Sequence, residues 1–77
     1  MIAYEVAYEK AKELKKEINN CTEYENGFVF GFSGDDNYIG GGHAPVVILK
    51  EDGKAIPFNA FIAKGTGKQI REFNISD

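Results

Sequence analysis

The N-terminal part of the chain repeats apolar residues at the three- and four-residue spacing of an amphipathic helix. Charged residues fall mostly on the other side of the helical wheel. The pattern predicts one helix over residues 2–19, with an apolar stripe formed by Ala3, Val6, Ala7, Ala11, Leu14 and Ile18. Because alanines dominate the start of that stripe, we expect the helix to lie close to the surface on which it packs.

After the helix the apolar pattern changes to the two-residue period of a strand. Phe28, Phe30 and Phe32 share one face of this strand. Three aromatic rings on one face require a cover, and the helix is the obvious candidate. The polar residues 21–27 before the strand are predicted to form a connection, and residues 33–37 (SGDDN) a turn.

Two further strands are predicted, one on each side of residues 51–54 (EDGK), which are typical of a hairpin turn. Residues 46–49 (VVIL) are apolar on both faces and follow Pro45, and the chain returns over residues 55–61. Pro57 has no N–H to donate, so we expect it at a sheet edge or a bulge.

The C-terminal residues 66–75 fit two different elements. Thr66 could cap a short helix that includes Ile70 and Phe73, but the same apolar residues are compatible with a last strand. We favour the short helix. Residues 1–77 are therefore predicted to form a single α+β domain, in which the N-terminal helix packs on a three- to four-stranded antiparallel sheet.

Composition narrows the classes of partner. A chain of 77 residues is one small domain of limited stability, which a homodimer could increase. The net charge of −3 gives no positive field for nucleic acid, and no apolar run is long enough to span a membrane.

Charged residues interrupt the N-terminus, which argues against a secretion signal. The single cysteine, Cys21, has no disulfide partner in the chain. We therefore expect a cytoplasmic protein that binds neither nucleic acid nor membrane.

Two glycine-rich strings resemble phosphate-binding loops but lack their context. Residues 40–43 (GGGH) lead into Pro45 and a strand, whereas a phosphate cradle opens a helix. Residues 65–69 (GTGKQ) have glutamine where a P-loop has serine or threonine. Both strings are predicted to be structural, and no cofactor is expected.

Metal binding or catalysis would have to recruit His43, the only histidine. Its candidate neighbours are Asp35, Asp36 and Cys21, and their spacing matches no zinc, calcium or Cys–His pattern. Nothing in the sequence places a base beside Cys21. We therefore predict no metal site and no catalytic residue.

Surface recognition remains as the predicted activity. Tyrosines are enriched at protein interfaces, and acidic residues concentrate in the two connections around the aromatic strand. The predicted partner-binding residues are Glu23, Tyr24, Glu25, Asp35, Asp36, Tyr38 and His43. The alternative is that these tyrosines line the rim of a small core and that the acids are only solvated.

Three motifs follow the helix in order: the aromatic strand GFVFGF, the glycine-rich step GGGHAP and the strand-turn-strand VVILKEDGKAIPF. In this layout the chain resembles the immunity protein 35 family, small bacterial α+β proteins that include a chaperone-like heat-shock protein. Residues 42–45 and 51–54 stand where that family has a glycine-to-proline step and an acidic turn closed by glycine. The family often has tryptophan in the aromatic strand, whereas this chain has none and Phe28 or Phe30 takes its place.

The resemblance implies a function as well as a fold. It implies a protein that binds and neutralises a cognate toxin, encoded beside it, within the producing cell. None of the shared motifs is catalytic. A second hypothesis stays open, a homo-oligomeric adaptor or chaperone-like protein that dimerises through an exposed sheet edge.

Overall fold

The computed structural model of the chain describes residues 1–32 and 45–75. Within these residues the elements are α1 (Tyr4–Leu14), β1 (Asn20–Tyr24), β2 (Gly27–Gly31), β3 (Val46–Leu49), β4 (Ala55–Pro57), α2 (Phe58–Lys64) and β5 (Gln69–Asn74). The five strands form one antiparallel sheet in the order β4-β3-β2-β1-β5. The predicted α+β architecture is confirmed, with one strand more than expected.

The larger core cluster lies between α1 and the sheet. Phe30 and Ile48 are fully buried there against Ala7 and Ala11, which are also fully buried. The alanine stripe and the alternation of Phe28 with Phe30 therefore predicted this interface correctly. The third aromatic residue, Phe32, follows the end of β2 and is only partly buried.

The helix is shorter than predicted, because it ends at Leu14 instead of residue 19. Lys15 has an extended backbone, with φ −141° and ψ 107°. The segment after it places Ile18 in the core and brings Asn19 between β2 and the end of β5, where its N–H and carbonyl group bond Gly31 and Ile75. These tertiary contacts outweigh the local helix propensity.

The opposite face of the sheet has its own smaller core, covered by α2. Val29, Val47 and Leu49 pack there against Phe61 of the helix. The prediction of a strand over residues 55–61 was wrong in its second half, because the strand ends at Pro57 and α2 begins at the next residue. The fixed φ of proline and its missing N–H suit the position just before a first helical turn. Pro57 does lie on an edge strand, as expected.

Two further predictions are corrected by the strand assignments. Residues 21–24, expected in a connection, belong to β1, and residues 69–74, expected in a short helix, form β5. β1 pairs with β2 on one side and with β5 on the other. Pairing with a strand about 50 positions away in sequence is specified by the tertiary structure and not by local propensity.

The glycine-rich step before β3 is described only at its end. Pro45 directly precedes β3, as predicted, and residues 40–44 lie outside the described residues. Among the residues that the structure describes, neither helix has the length and the apolar character that crossing a membrane requires.

Candidate functional site

Glu23 is the centre of a charge cluster on the α1 side of the sheet. Strand pairing places Glu23 opposite Arg71 of β5, and Arg71 Nε donates a hydrogen bond to Glu23 Oε1 at 2.7 Å. Lys50, directly after β3, donates from Nζ to Glu23 Oε2 at 2.6 Å. The carboxylate of Glu23 in β1 therefore connects Lys50, directly after β3, with Arg71 in β5, although the three residues are far apart in the sequence.

Aromatic rings support both cations of this cluster. Lys50 Nζ lies 5.0 Å from the centre of the Phe28 ring, and the Arg71 guanidinium carbon lies 4.8 Å from that of Phe73. Tyr4 of α1 packs edge-on against both rings, at 5.9 Å from Phe28 and 5.3 Å from Phe73. Cation–π contacts and packing restrict the side-chain rotamers, so the charges are held in position.

The three charged groups differ in their exposure. The side chains of Lys50 and Glu23 are 10% and 14% exposed, whereas that of Arg71 is 56% exposed. The ion pair of Glu23 with Lys50 is therefore largely buried, whereas Arg71 presents part of its guanidinium group to solvent.

Replacing Glu23 with glutamine is expected to make stability less dependent on pH in the acidic range. The hydrogen bond from Lys50 is the main cause that lowers the pKa of Glu23; the bond from Arg71 adds to it, and partial burial opposes both. A carboxyl with a lowered folded-state pKa stabilises the fold above its unfolded pKa of about 4.3. This contribution is lost as the pH falls through the folded-state pKa.

Urea denaturation at about pH 7 and about pH 3 measures this effect. The wild type should lose more free energy of unfolding between the two pH values than Glu23→Gln does. Glu51→Gln, which removes an exposed acid nearby, is the matched control and should behave like the wild type. If wild type and Glu23→Gln lose the same amount, the cluster does not stabilise the fold through the charge of Glu23.

Glu25 is exposed but is tied to the connection before β5. Its N–H donates to the Lys68 carbonyl at 3.0 Å, and its Oε1 accepts from the Lys68 N–H at 2.7 Å. Gly67 makes this close approach possible, because its φ is +75° and a Cβ there would lie 2.7 Å from the Cβ of Glu25. The adjacent Asn26 side chain donates to the Gly65 carbonyl at 3.0 Å. The β1–β2 turn is therefore fixed to the α2–β5 connection.

An open hollow of about 510 Å³ lies at this end of the sheet. It is lined by Met1, Glu25, Asn26, Leu49, Lys50, Glu51, Lys64 and Gly65. Acidic and basic groups both line it, and Lys50 connects it to the Glu23 cluster. We define the turn-end surface as the six charged side chains in and beside this hollow, namely Glu23, Glu25, Lys50, Glu51, Lys64 and Arg71.

The structure separates the residues that the sequence placed on one surface. Glu23 faces α1, whereas its neighbour Tyr24 faces α2 and packs edge-on against Phe61 at 5.8 Å. Asp35, Asp36, Tyr38 and His43 lie outside the described residues. Of the three predicted residues that the structure describes, Glu23 and Glu25 belong to the turn-end surface and Tyr24 does not.

Sequence reasoning missed the basic members of this surface. Lys50 stands between the predicted strand of residues 46–49 and the predicted turn of residues 51–54, and this local pattern indicates no distant acidic partner. Arg71 lies in the C-terminal segment whose apolar residues fit a helix as well as a strand. The sequence signal for basic partners was Glu23 itself. An acid between two strand formers, Thr22 and Tyr24, needs a cation from another part of the sheet.

The buried cysteine is a poor nucleophile. Cys21 is fully buried, and burial raises the pKa of its thiol to about 12, with the nearby charge of Glu23 as a second cause. Within residues 1–32 and 45–75, no three His, Cys, Asp or Glu side chains are grouped to hold a metal ion. Residues 65–68 lead into strand β5, whereas a P-loop opens a helix.

Comparison with known proteins gives no relative for this chain: no family model, curated protein or solved structure matches it. The resemblance to the immunity protein 35 family therefore stays a prediction from the sequence motifs. Any functional proposal has to rest on those motifs and on the geometry of the turn-end surface.

Proposed function

We propose that this chain is a non-enzymatic protein-binding module that acts as an immunity protein and neutralises a toxin encoded beside it. The observation that carries the proposal is the turn-end surface, where hydrogen bonds hold four of the six charged side chains in position, those of Glu23, Glu25, Lys50 and Arg71. Fixed side chains lose little conformational entropy on binding, which favours a tight complex. The kind of partner, a toxin, is inferred from the sequence motifs in which the chain resembles the immunity protein 35 family.

The chemistry of this surface favours a partner that presents charges of both signs. The charge of Glu23 is compensated by Lys50 and Arg71 at 2.6 and 2.7 Å, so Glu23 contributes by holding Arg71 in place. The exposed members are Glu25, Glu51, Lys64 and Arg71. A partner with only basic groups would meet two cations here, whereas one with acids and bases in alternation is complementary.

Arginine is the residue of this surface best suited to bind strongly. Its guanidinium group binds carboxylates through two parallel hydrogen bonds, and Arg71 uses only Nε in its bond to Glu23. Arginine is also among the residues that most often dominate interface energies. We expect a carboxylate of the partner to bind Arg71, with Glu51 and Lys64 contributing to the rate of association.

Exchanging the charges of Glu51 and Lys64 tests this surface without changing the net charge. Both side chains are exposed, so Glu51→Lys combined with Lys64→Glu should leave the fold intact. The double variant places like charges against a complementary partner and should slow association by roughly tenfold or more. Affinity capture from lysate of the native cell, followed by rate measurements on the captured protein, gives this value.

The matched control is the double variant Glu13→Lys with Lys16→Glu. It exchanges two exposed charges at the C-terminal end of α1, whereas the hollow of the turn-end surface is lined by Met1, before the N-terminal end of this helix. It should capture the same partner at the wild-type rate. Capture of the partner at equal rates by all three chains would show that the turn-end surface is not the binding surface.

A further inference from the structure

The two edges of the sheet differ in their ability to accept another strand. One edge, β4, is only three residues long and ends in Pro57, and both features block pairing with a further strand. The other edge, β5, is six residues long and contains no proline. Among the described residues, β5 pairs only with β1.

The two helices pack mainly on strands other than β5. α1 lies on β2 and β3, and α2 lies on β3 and β4. An open hollow of about 520 Å³ borders β5 and is lined by Asn20, Glu72, Phe73 and Asn74. A strand added beyond β5 would lie one strand further from α1, which reaches β5 through the ring contact of Tyr4 with Phe73.

Backbone geometry shows which groups β5 offers at its open edge. The Ile75 N–H donates to the Asn19 carbonyl at 2.9 Å, so the main-chain groups of Ile75 point toward β1. Because residues of an antiparallel strand alternate in this direction, the N–H and C=O groups of Glu72 and Asn74 point outward. A bulge beside Ile70 interrupts the first part of β5, which limits regular pairing to the residues after it.

Side chains on β5 favour one register for pairing with a second β5. A two-fold axis through Arg71 or through Glu72 would place two identical charges directly opposite each other, which is unfavourable. An axis through Phe73 instead places Phe73 opposite its own copy and Glu72 opposite Asn74 of the other chain. The Asn74 amide can then donate to the Glu72 carboxylate, while the four outward main-chain groups of each chain are satisfied.

We propose that a second copy of this chain binds at β5, and that the two β5 strands pair antiparallel about a two-fold axis through Phe73. The dimer has one continuous sheet, and each copy contributes the five strands of its own sheet. The paired edge is short, so the dimer dissociates on dilution. This proposal is independent of the immunity function, and its test uses a residue that is not part of the turn-end surface.

Substitutions of Asn74 test the register because they predict effects of opposite sign. Asn74 is exposed, so both variants should fold. Asn74→Lys places a cation opposite Glu72 of the other copy at two symmetric positions, and Asn74→Glu places an anion there. Sedimentation velocity over about a hundredfold range of protein concentration should give a dimer of twice the 8.5 kDa chain mass. The dissociation constant should be lowest for Asn74→Lys and highest for Asn74→Glu, with about a tenfold difference between them.

A single species of 8.5 kDa at all concentrations for wild type and Asn74→Lys would overturn the proposal. A dimer whose dissociation constant is the same in all three chains would also overturn it, because the copies would then associate through another surface. Circular dichroism of each chain at the lowest concentration confirms that the comparison is made between folded proteins.

Discussion

Replacing Phe30 with alanine should cost about 3–5 kcal/mol of the free energy of unfolding. Phe30 is fully buried in the centre of the α1 cluster, and its ring contacts those of Tyr4, Tyr8 and Phe28 at 5.9, 6.1 and 6.3 Å. Alanine would remove these contacts and leave a cavity that the alanine-lined helix cannot fill. Because a single core in a domain of this size rarely supplies more than about 3–5 kcal/mol of stability, a large fraction of the variant should be unfolded.

Urea denaturation followed by circular dichroism measures this loss. Leu14→Ala is the informative control, since Leu14 belongs to the predicted apolar stripe but is 62% exposed in the structure. It should change stability by less than about 0.5 kcal/mol. If Leu14→Ala destabilises the chain as much as Phe30→Ala does, then α1 packs differently from the arrangement described.

Replacing Phe61 with alanine should have an effect of similar size, about 3–5 kcal/mol, on the other face of the sheet. Phe61 is the fully buried residue of α2. Its ring lies edge-on to Tyr24 at 5.8 Å and 3.1 Å from where a Cβ on Gly27 would be. The short helix has few other buried contacts, so losing this ring should also release α2 from the sheet.

The control for Phe61 is the adjacent position on the same helix. Ile62 is 55% exposed, and Ile62→Ala should change stability by less than about 0.5 kcal/mol. Denaturation of both variants distinguishes a packed helix from a surface helix. Equal and small losses for Phe61→Ala and Ile62→Ala would contradict the second core.

The parts of the fold that the sequence predicted are those with a strong local pattern. Alternating phenylalanines predicted the face of β2 that meets α1. The run from Val46 to Leu49 predicted a strand with apolar residues on both faces, and β3 lies inside the sheet with residues buried on both faces. Alanines at positions 7 and 11 predicted the close approach of the helix. In each case the local pattern of apolar residues coincides with the faces that are buried.

The errors fall where long-range contacts decide the structure. Residues 15–19 have helix propensity but lie outside α1, because Ile18 reaches the core and Asn19 reaches the sheet. β1 was missed because Glu23 occupies an inward position that is normally apolar, and only Lys50 and Arg71 make a carboxylate stable there. β5 and α2 were misassigned because a few apolar residues fit both periods.

The candidate site was predicted only in part for the same reason. Acidic residues in the β1–β2 region suggested a recognition surface, and Glu23 and Glu25 are members of the turn-end surface that we propose as the binding surface. Their role could not be predicted, because the partners that hold them, Lys50, Lys68 and Arg71, come from other strands and connections. In the structure Glu23 is part of two ion pairs, and Glu25 is bonded to the main chain of the α2–β5 connection.

The central claim is that this chain neutralises a protein toxin through its turn-end surface. Growth of cells in which the neighbouring gene is induced, with or without this chain, tests it most directly. The neighbouring product alone should stop growth. Co-expression of the wild type, or of Glu13→Lys with Lys16→Glu, should restore growth, whereas Glu51→Lys with Lys64→Glu should restore it less. Growth that continues without this chain, or that stays arrested when the wild type is present, would contradict the claim.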